Sequence, residues 1–176
     1  ANPTMTNASI PYYCAEGDEA VETLGPDGKT VKLEFRISGT PRAQPRGRRS
    51  KNSNRPYNPA GKIVRNFRTQ VRKQLLSQTT VFGPNVKVRI DCWFGFKRAR
   101  SHYSNDGVLK STAPHYPKIA DVDNLSKLIM DGLVGIVYKD DIQITTLRAG
   151  KRYIARPSDG QTVIIARIDK TPRPFL

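Results

Sequence analysis

Alternation of apolar and polar residues constrains the fold of this chain more than any other feature. Apolar side chains stand at every second position, the period of a half-buried strand, in four stretches at about 31–37, 86–96, 142–150 and 161–168. Two other stretches, at about 60–78 and from about 123 onward, repeat apolar residues every three or four positions, which is typical of an amphipathic helix. These segments predict an α/β domain with a mixed sheet of about four strands and two helices.

The length of 176 residues favours one domain with its own core. Residues 1–28 show little periodicity and end in a Gly-Pro-Asp-Gly turn signature, so we expect them to form an extension outside the folded domain. The domain itself is predicted over residues 29–170, and residues 171–176 form a tail. Residues 97–118 are rich in Lys and Arg and interrupted by Gly and Pro, which predicts a long basic loop.

The two cysteines, Cys14 and Cys92, are far apart and lack the spacing of metal ligands. We therefore expect two reduced thiols, which favours a reducing compartment inside the cell. No apolar run approaches the roughly 18 residues of a membrane span, and the first residues lack the pattern of a secretory signal. The sequence predicts a soluble protein that is not exported.

The charge of the chain predicts a nucleic-acid partner. The formal net charge is +15 and the pI is about 10.2, and binding of cations to phosphates is driven by counterion release. Fourteen Lys and Arg residues and no Asp or Glu occur from Arg36 to Arg89. Contacts to phosphates position DNA without reading its sequence. The residues expected to make such contacts are Arg46, Arg48, Arg49, Lys51, Arg55, Arg65, Arg68, Arg72 and Lys118.

Acidic residues are concentrated in a different place, because five of the fifteen lie between Lys118 and Thr145. Asp121 and Asp123 stand two apart just ahead of a predicted helix, where an extended backbone directs both carboxylates the same way. The positive end of the helix dipole favours them there. Asp141 belongs to a different element, at the expected start of a strand. We expect the three carboxylates to converge in the folded chain.

Three converging carboxylates repel one another unless a divalent cation is bound among them. Oxygen ligands without Cys or His suit Mg²⁺, or Mn²⁺ in its place, better than zinc. Lys127 lies one helical turn after Asp123 and could stabilise charge that develops on a phosphate. From spacing alone two alternatives stay open: the aspartates are helix-cap and turn residues, and Lys127 belongs to an ordinary helical ion pair.

Other conspicuous residues carry less information. His102 and His115 lie in the predicted basic loop, where we expect them to be solvated or to face phosphates. Trp93 is on the outward side of its strand, which predicts packing under a loop or a dimer contact. Tyr57 and Tyr103 could stack on unpaired bases, although packing is the favoured interpretation.

The acidic segment resembles the signature of the RusA family of Holliday junction resolvases. The run Asp121–Leu133 matches D-x-D-N-L-x-K-x-x-x-D-x-L, and Val137–Ile144 contains the D-D-x-Q that follows it. Upstream, Gly39–Arg48 and Tyr57–Pro59 are similar to the G-x-P, Arg-rich and Y-x-P opening of phage-type members. Together these motifs cover residues 31–168.

The resemblance implies a homodimeric α/β endonuclease that binds four-way DNA junctions and nicks two opposing strands symmetrically with Mg²⁺ or Mn²⁺. The essential acidic positions of the family, expected to hold the metal, fall on Asp121, Asp123 and Asp141, and its catalytic lysine falls on Lys127. The resemblance also implies action in the cytoplasm or nucleoid of a bacterium or an infected host cell.

Two more positions match the family signature, Asp131 and Asp140, and we expect structural roles for them, with Asp140 the more suited of the two to assist the metal. The extension at residues 1–28 and the loop at 97–118 depart from the compact form of the family. They leave the dimer surface and the contacts to the junction open.

Two other functions remain as alternatives. A nuclease of the same fold could cut flaps, forks or other branched DNA, and only a comparison of substrates separates it from a resolvase. A basic DNA-binding or RNA-binding protein without catalytic activity would need only the cationic stretch, and the intact acidic signature argues against it. No RNA-binding aromatic motif is visible in the sequence.

Overall fold

The structure, a computed structural model, describes residues 20–46, 48–49, 56–57, 60–75, 80–154 and 159–170. The strands are β1 Val21–Leu24, β2 Thr30–Ser38, β3 Arg48–Arg49, β4 Pro56–Tyr57, β5 Val88–Lys97, β6 Ile144–Ile154 and β7 Gln161–Ile168. The helices are α1 Ala60–Gln74 and α2 Val122–Leu133, and short 3-10 turns occur at Arg100–His102 and Asp141–Gln143. Cys14, the side chain of Tyr57 and the tail at 171–176 lie outside the described residues.

A five-stranded mixed sheet is at the centre of the domain, with strand order β1-β2-β7-β5-β6. β5 and β6 are parallel, and the other neighbouring pairs are antiparallel. β3 and β4 form a separate two-stranded pair. The predicted α/β class with a mixed sheet and two helices is confirmed, and the sheet has one strand more than the four expected.

The additional strand is β1, which lies within the residues that the sequence analysis assigned to an extension. A tight turn joins it to β2: the N–H of Gly25 donates to the carbonyl of Lys29 at 2.8 Å, and Gly28 has φ 74°, a value that glycine adopts without strain. All four side chains of β1 are exposed. Without a buried face the strand has no alternating pattern, so periodicity could not reveal it.

Both helices pack against one face of the sheet and build the core with it. The buried residues of this core include Leu33, Phe35, Phe67, Val71, Ile90, Cys92, Phe94, Leu125, Ile129 and Ile164. The helices contact each other closely, because a Cβ on Gly132 would clash with the ring of Phe67. Cys92 faces this core, and burial raises the pKa of its thiol, which makes it unreactive.

β5, α2 and β6 form the crossover that positions the site. Because β5 and β6 are parallel, the helix that connects them in sequence, α2, runs in the opposite direction and begins near the carboxyl ends of these strands. The chain then turns at the opposite end of the sheet. There the amide of Gln143 donates to the carbonyl oxygens of Gly83 at 2.7 Å and Val86 at 3.0 Å, just ahead of β5.

The other face of the sheet carries polar and charged side chains. Trp93 packs against Gly150 on the neighbouring strand, and the guanidinium groups of Arg148 and Arg152 lie 5.3 Å and 5.7 Å from its ring centre. Among the residues that the structure describes, neither helix has the length and apolar composition of a membrane span.

Candidate active site

Asp121 and Asp123 stand at the start of α2, as the sequence predicted. Asp121 is the N-cap, with φ −82° and ψ 142°, and its carbonyl accepts a hydrogen bond from the N–H of Leu125 at 3.0 Å. Its side chain makes no capping hydrogen bond, although Asp commonly does so. Both carboxylates are exposed and have no hydrogen-bond or ion-pair partner among the described residues. They are therefore available to a cation.

The residue before Asp121 has an unusual backbone. Ala120 has φ 57° and, among the residues described, no other non-glycine residue has a positive φ. This left-handed conformation costs an L-residue about 1–2 kcal/mol. The ammonium of Lys151 on β6 donates to the carbonyl of Ala120 at 2.6 Å and to that of Ile119 at 3.4 Å. These bonds hold the strained segment in the geometry from which Asp121 projects.

Lys127 lies one turn after Asp123 on the exposed side of α2. Its ammonium is 3.7 Å from the carboxylate of Asp131, and 59% of its side chain is exposed. Asp131 is held from the other side by the amide of Gln44, which donates to it at 2.9 Å, while the N–H of Gln44 donates to the carbonyl of Asn124 at 3.0 Å. Asp131 thus ties residues 41–46 to α2, and Lys127 keeps an accessible charge beside the helix.

Asp140 and Asp141 lie at the turn ahead of β6. Asp140 caps the 3-10 turn and accepts from the N–H of Ile142 at 3.1 Å, which lowers the pKa of its carboxyl. The side chain of Gln143 accepts from the N–H groups of Lys139 and Asp140 at 2.8 Å and 3.1 Å. Asp141 is exposed and begins the 3-10 turn, whereas the sequence analysis expected it at the start of the strand itself.

The structure does not bring Asp141 next to Asp121 and Asp123 in one chain. α2 has 12 residues, and at about 1.5 Å per residue it spans roughly 18 Å. Asp121 precedes its first residue, and Asp141 follows the turn after its last residue. No group of three Asp, Glu, His or Cys side chains in the described ranges could hold a metal ion. The expected convergence within a single chain is therefore wrong, and the metal-binding role of the three residues stays a prediction.

The cations predicted to contact phosphates occupy several environments. Arg46, Arg65, Arg72 and Lys118 are exposed. Arg68 is half-buried and donates to the carbonyl oxygens of Gly132 at 3.1 Å and Val134 at 2.7 Å. It therefore satisfies carbonyl groups at the end of α2, a structural role that the sequence did not indicate. Of the others, the structure describes only the backbone of Arg48 and Arg49, and Lys51 and Arg55 lie outside it.

A basic cleft lies directly beside the segment that leads to Asp121. Its volume is about 830 Å³, and its lining residues are Lys97, Arg98, Ala99, Arg100, His102, Pro114, Lys118, Ile119 and Tyr153. Among them, Lys118 was predicted to contact DNA, and His102 was expected to be solvated or to face phosphates. Lys151 and Tyr153 point to the same side of β6 because they stand two positions apart. The sequence shows that Lys151 and Tyr153 share one face of a strand, but it does not show that the segment at 118–120 lies against that face.

The sequence model of a known protein family matches most of this chain. The sequence model of the family described as Endodeoxyribonuclease RusA matches residues 38–165, a range that includes α1, α2, the turn ahead of β6 and the lining of the cleft. A search of curated proteins found no match.

Proposed function

The chain belongs to the RusA family of endodeoxyribonucleases, and from that premise we propose that it resolves Holliday junctions by symmetric, metal-dependent nicking of two opposing strands. The family implies nuclease activity on branched DNA. The observation that supports the proposal most is the pair Asp121 and Asp123, which is exposed at the start of α2 and has no partner among the described residues. This pair stands beside a basic cleft in a chain of net charge +15.

The carboxylates of Asp121 and Asp123 fit a hard cation. Mg²⁺ is commonly held by one or two carboxylates together with water and phosphate oxygens, and Mn²⁺ accepts the same ligands. When bound, such an ion polarises the phosphate and lowers the pKa of a bound water. The chain's own contribution is to present two carboxylates from one rigid helix start, which the bonds from Lys151 to the preceding carbonyl groups keep in place.

Lys127 supplies a positive charge near this pair. Its partner Asp131 is at 3.7 Å, a long separation for an ion pair, and most of the lysine side chain is exposed. Exposed pairs of this kind contribute little to stability, about 0–1 kcal/mol. The ammonium is therefore able to leave Asp131 and to contact a DNA phosphate, where it would stabilise charge on the leaving oxygen.

We extend the proposal to a homodimer in which each catalytic centre contains residues of two chains. Asp141 is separated from Asp121 by the length of α2, so within one chain it does not reach the ion. β6 is the last strand of the sheet. Antiparallel pairing of two β6 edges around a two-fold axis would bring Asp141 of one copy towards Asp121 and Asp123 of the other. Two such centres would address two equivalent strands of a junction.

Mixed dimers test this arrangement. Asp123→Asn and Asp141→Asn chains are each expected to be inactive on a four-way junction in Mg²⁺. If each catalytic centre contains residues of both chains, a dimer of one Asp123→Asn chain and one Asp141→Asn chain has one centre with both substitutions and one intact centre. Single nicks then return when the two variants are mixed. If each centre lies within one chain, both centres of the mixed dimer are damaged and no activity returns. Sedimentation of the separate variants checks that each still dimerises.

A panel of substrates tests the proposed specificity. The wild-type chain is incubated in Mg²⁺ with a labelled mobile four-way junction, a flap, a fork and a linear duplex of the same sequence. A resolvase gives paired nicks at symmetry-related positions of the junction and little cutting of the duplex. Preferential cutting of the flap or fork would assign the chain to other branched DNA. Absence of cutting on every substrate, in Mn²⁺ as well, would favour a binding protein.

A further inference from the structure

We propose that the basic cleft beside Asp121 holds one unstacked nucleotide of the DNA strand that enters the active site, with its base on the guanidinium plane of Arg98. The inference rests on the proposed function, because it takes a DNA strand as the ligand. It adds a binding site in residues 97–119 and 153. In this range the sequence analysis assigned Lys118 to DNA and left open phosphate contacts of His102 and His115 and base stacking of Tyr103. Its support comes from charge, a fixed stacking surface and position.

The lining of the cleft selects an anion. Among the described residues that line it, four are Lys or Arg and none is acidic. Lys97 is paired with Asp159 at 2.6 Å, whereas Arg100 and Lys118 are exposed and have no ion pair among the described residues. The volume of about 830 Å³ is within the range of sites for small organic ligands, roughly 300–1,000 Å³. A phosphate with an attached base and sugar satisfies both the charge and the size.

The stacking surface is built in advance. The guanidinium carbon of Arg98 lies 4.2 Å from the ring centre of Tyr153, and the same group donates to the carbonyl of Pro114 at 2.9 Å. The ring of His102 meets Tyr153 edge-on, with 5.5 Å between ring centres and 79° between planes. Arginine planes and aromatic rings are surfaces on which unpaired bases stack. The orientation of Arg98 is therefore fixed before DNA binds.

Two further features of the cleft point to a ligand. Nδ1 of His102 is buried and has no hydrogen-bond partner in the part of the chain that the structure describes, which is unusual for a buried polar atom. Ile119 is 64% exposed and lines the cleft two residues before Asp121. An apolar side chain there can support a base that has left its stack. A nucleotide in the cleft would leave its neighbouring phosphate at the aspartate pair.

Binding of short single strands tests the proposal without cleavage. The full chain with Asp123→Asn is titrated at low salt against two labelled ten-residue strands, one of thymidines and one with an abasic backbone of equal charge. Stacking of one base on the protein corresponds to roughly a five- to hundredfold effect on affinity, and we expect the thymidine strand to bind at least fivefold more tightly. Equal affinities for the two strands would overturn the proposal.

Matched variants locate the effect in the cleft. Arg98→Lys keeps the positive charge and removes the guanidinium plane. The preference for the thymidine strand over the abasic strand is therefore expected to fall to within twofold, while the affinity for the abasic strand is unchanged. Lys118→Ala is expected to weaken both strands equally. Lys29→Ala, an exposed charge on the turn at the opposite edge of the sheet, should affect neither strand. A preference that survives Arg98→Lys would contradict the assigned surface. Failure to cut junctions would not change these binding results.

Discussion

The bonds from Lys151 to the segment before Asp121 give the sharpest prediction for catalysis. Lys151→Met keeps the aliphatic stem but removes the ammonium that donates to the carbonyl oxygens of Ala120 and Ile119. A hydrogen bond to a charged group contributes about 1.5–3 kcal/mol, enough to offset the roughly 1–2 kcal/mol cost of the left-handed backbone at Ala120. Without it, the segment is expected to relax towards an ordinary φ and to move Asp121.

The magnitude follows from these energies. A shift of about 2 kcal/mol in the equilibrium between the active and relaxed segment reduces the rate roughly thirtyfold, since each 1.4 kcal/mol is a factor of ten. We expect single-turnover nicking of a four-way junction in Mg²⁺ to fall by about 10- to 30-fold, with at most a threefold change in junction binding. Lys29→Met, which removes a charge at the far edge of the sheet, is the matched control.

A second substitution separates backbone geometry from charge. Glycine adopts a φ of +57° without the steric cost that alanine has. Ala120→Gly in the Lys151→Met chain should therefore restore a substantial part of the nicking rate, although the charge of the lysine is still missing. If Lys151→Met nicks at the wild-type rate, or if the glycine restores nothing, the argument that Lys151 positions Asp121 through the backbone is refuted.

Three further predictions concern the fold that supports the site. Gly132→Ala is expected to lower the free energy of unfolding by about 1–2 kcal/mol, because overpacking against Phe67 costs more than the gain in helix propensity. Denaturant unfolding measures this loss, and Phe67→Leu in the same chain should recover part of it. An unchanged unfolding midpoint would contradict the close contact. Gln143→Leu leaves the carbonyl oxygens it binds ahead of β5 unpaired and should cost roughly 2–4 kcal/mol in the same assay, whereas an effect below 0.5 kcal/mol would show that these bonds matter little. Tyr138 is a buried residue of the core, as Cys92 is, and burial raises the pKa values of both groups above their ordinary values of 10.0 and 9.0. Their contribution to stability is therefore complete below pH 9 and is lost as the pH rises beyond, by up to about 1.4 kcal/mol per pH unit and group. A free energy of unfolding that stays constant from pH 8 to 11 would contradict this.

Strands and helices with a buried face were predictable from the sequence. β2, β5, β7 and α2 all bury alternate or periodic side chains, and their predicted positions differ from the structure by only a few residues. β1 has no buried residue and was missed. The residues of the 3-10 turn ahead of β6 were assigned to a strand because local alternation does not distinguish a turn held by Gln143 from an extended segment.

The candidate site was predictable in its residues but not in its assembly. The pair Asp121 and Asp123 follows from local spacing at a helix start, which the structure shows. Whether Asp141 joins them depends on the direction of α2 relative to β6. A parallel crossover places the two ends of α2 at opposite ends of the sheet, and no local pattern states that β5 and β6 are parallel. Lys151 was missed for the same reason, because its partners are more than thirty residues away.

The proposed role of Asp121 and Asp123 is to act on a phosphodiester of branched DNA through a divalent cation. Single-turnover nicking of a labelled four-way junction by the wild-type chain and by Asp123→Asn, at protein concentrations that saturate binding, tests it most directly. We predict paired nicks by the wild-type chain in Mg²⁺, none after chelation, and a loss of roughly a hundred- to a thousandfold in the variant, with junction binding retained. Cleavage by Asp123→Asn at the wild-type rate, or cleavage that persists without divalent cations, would contradict it.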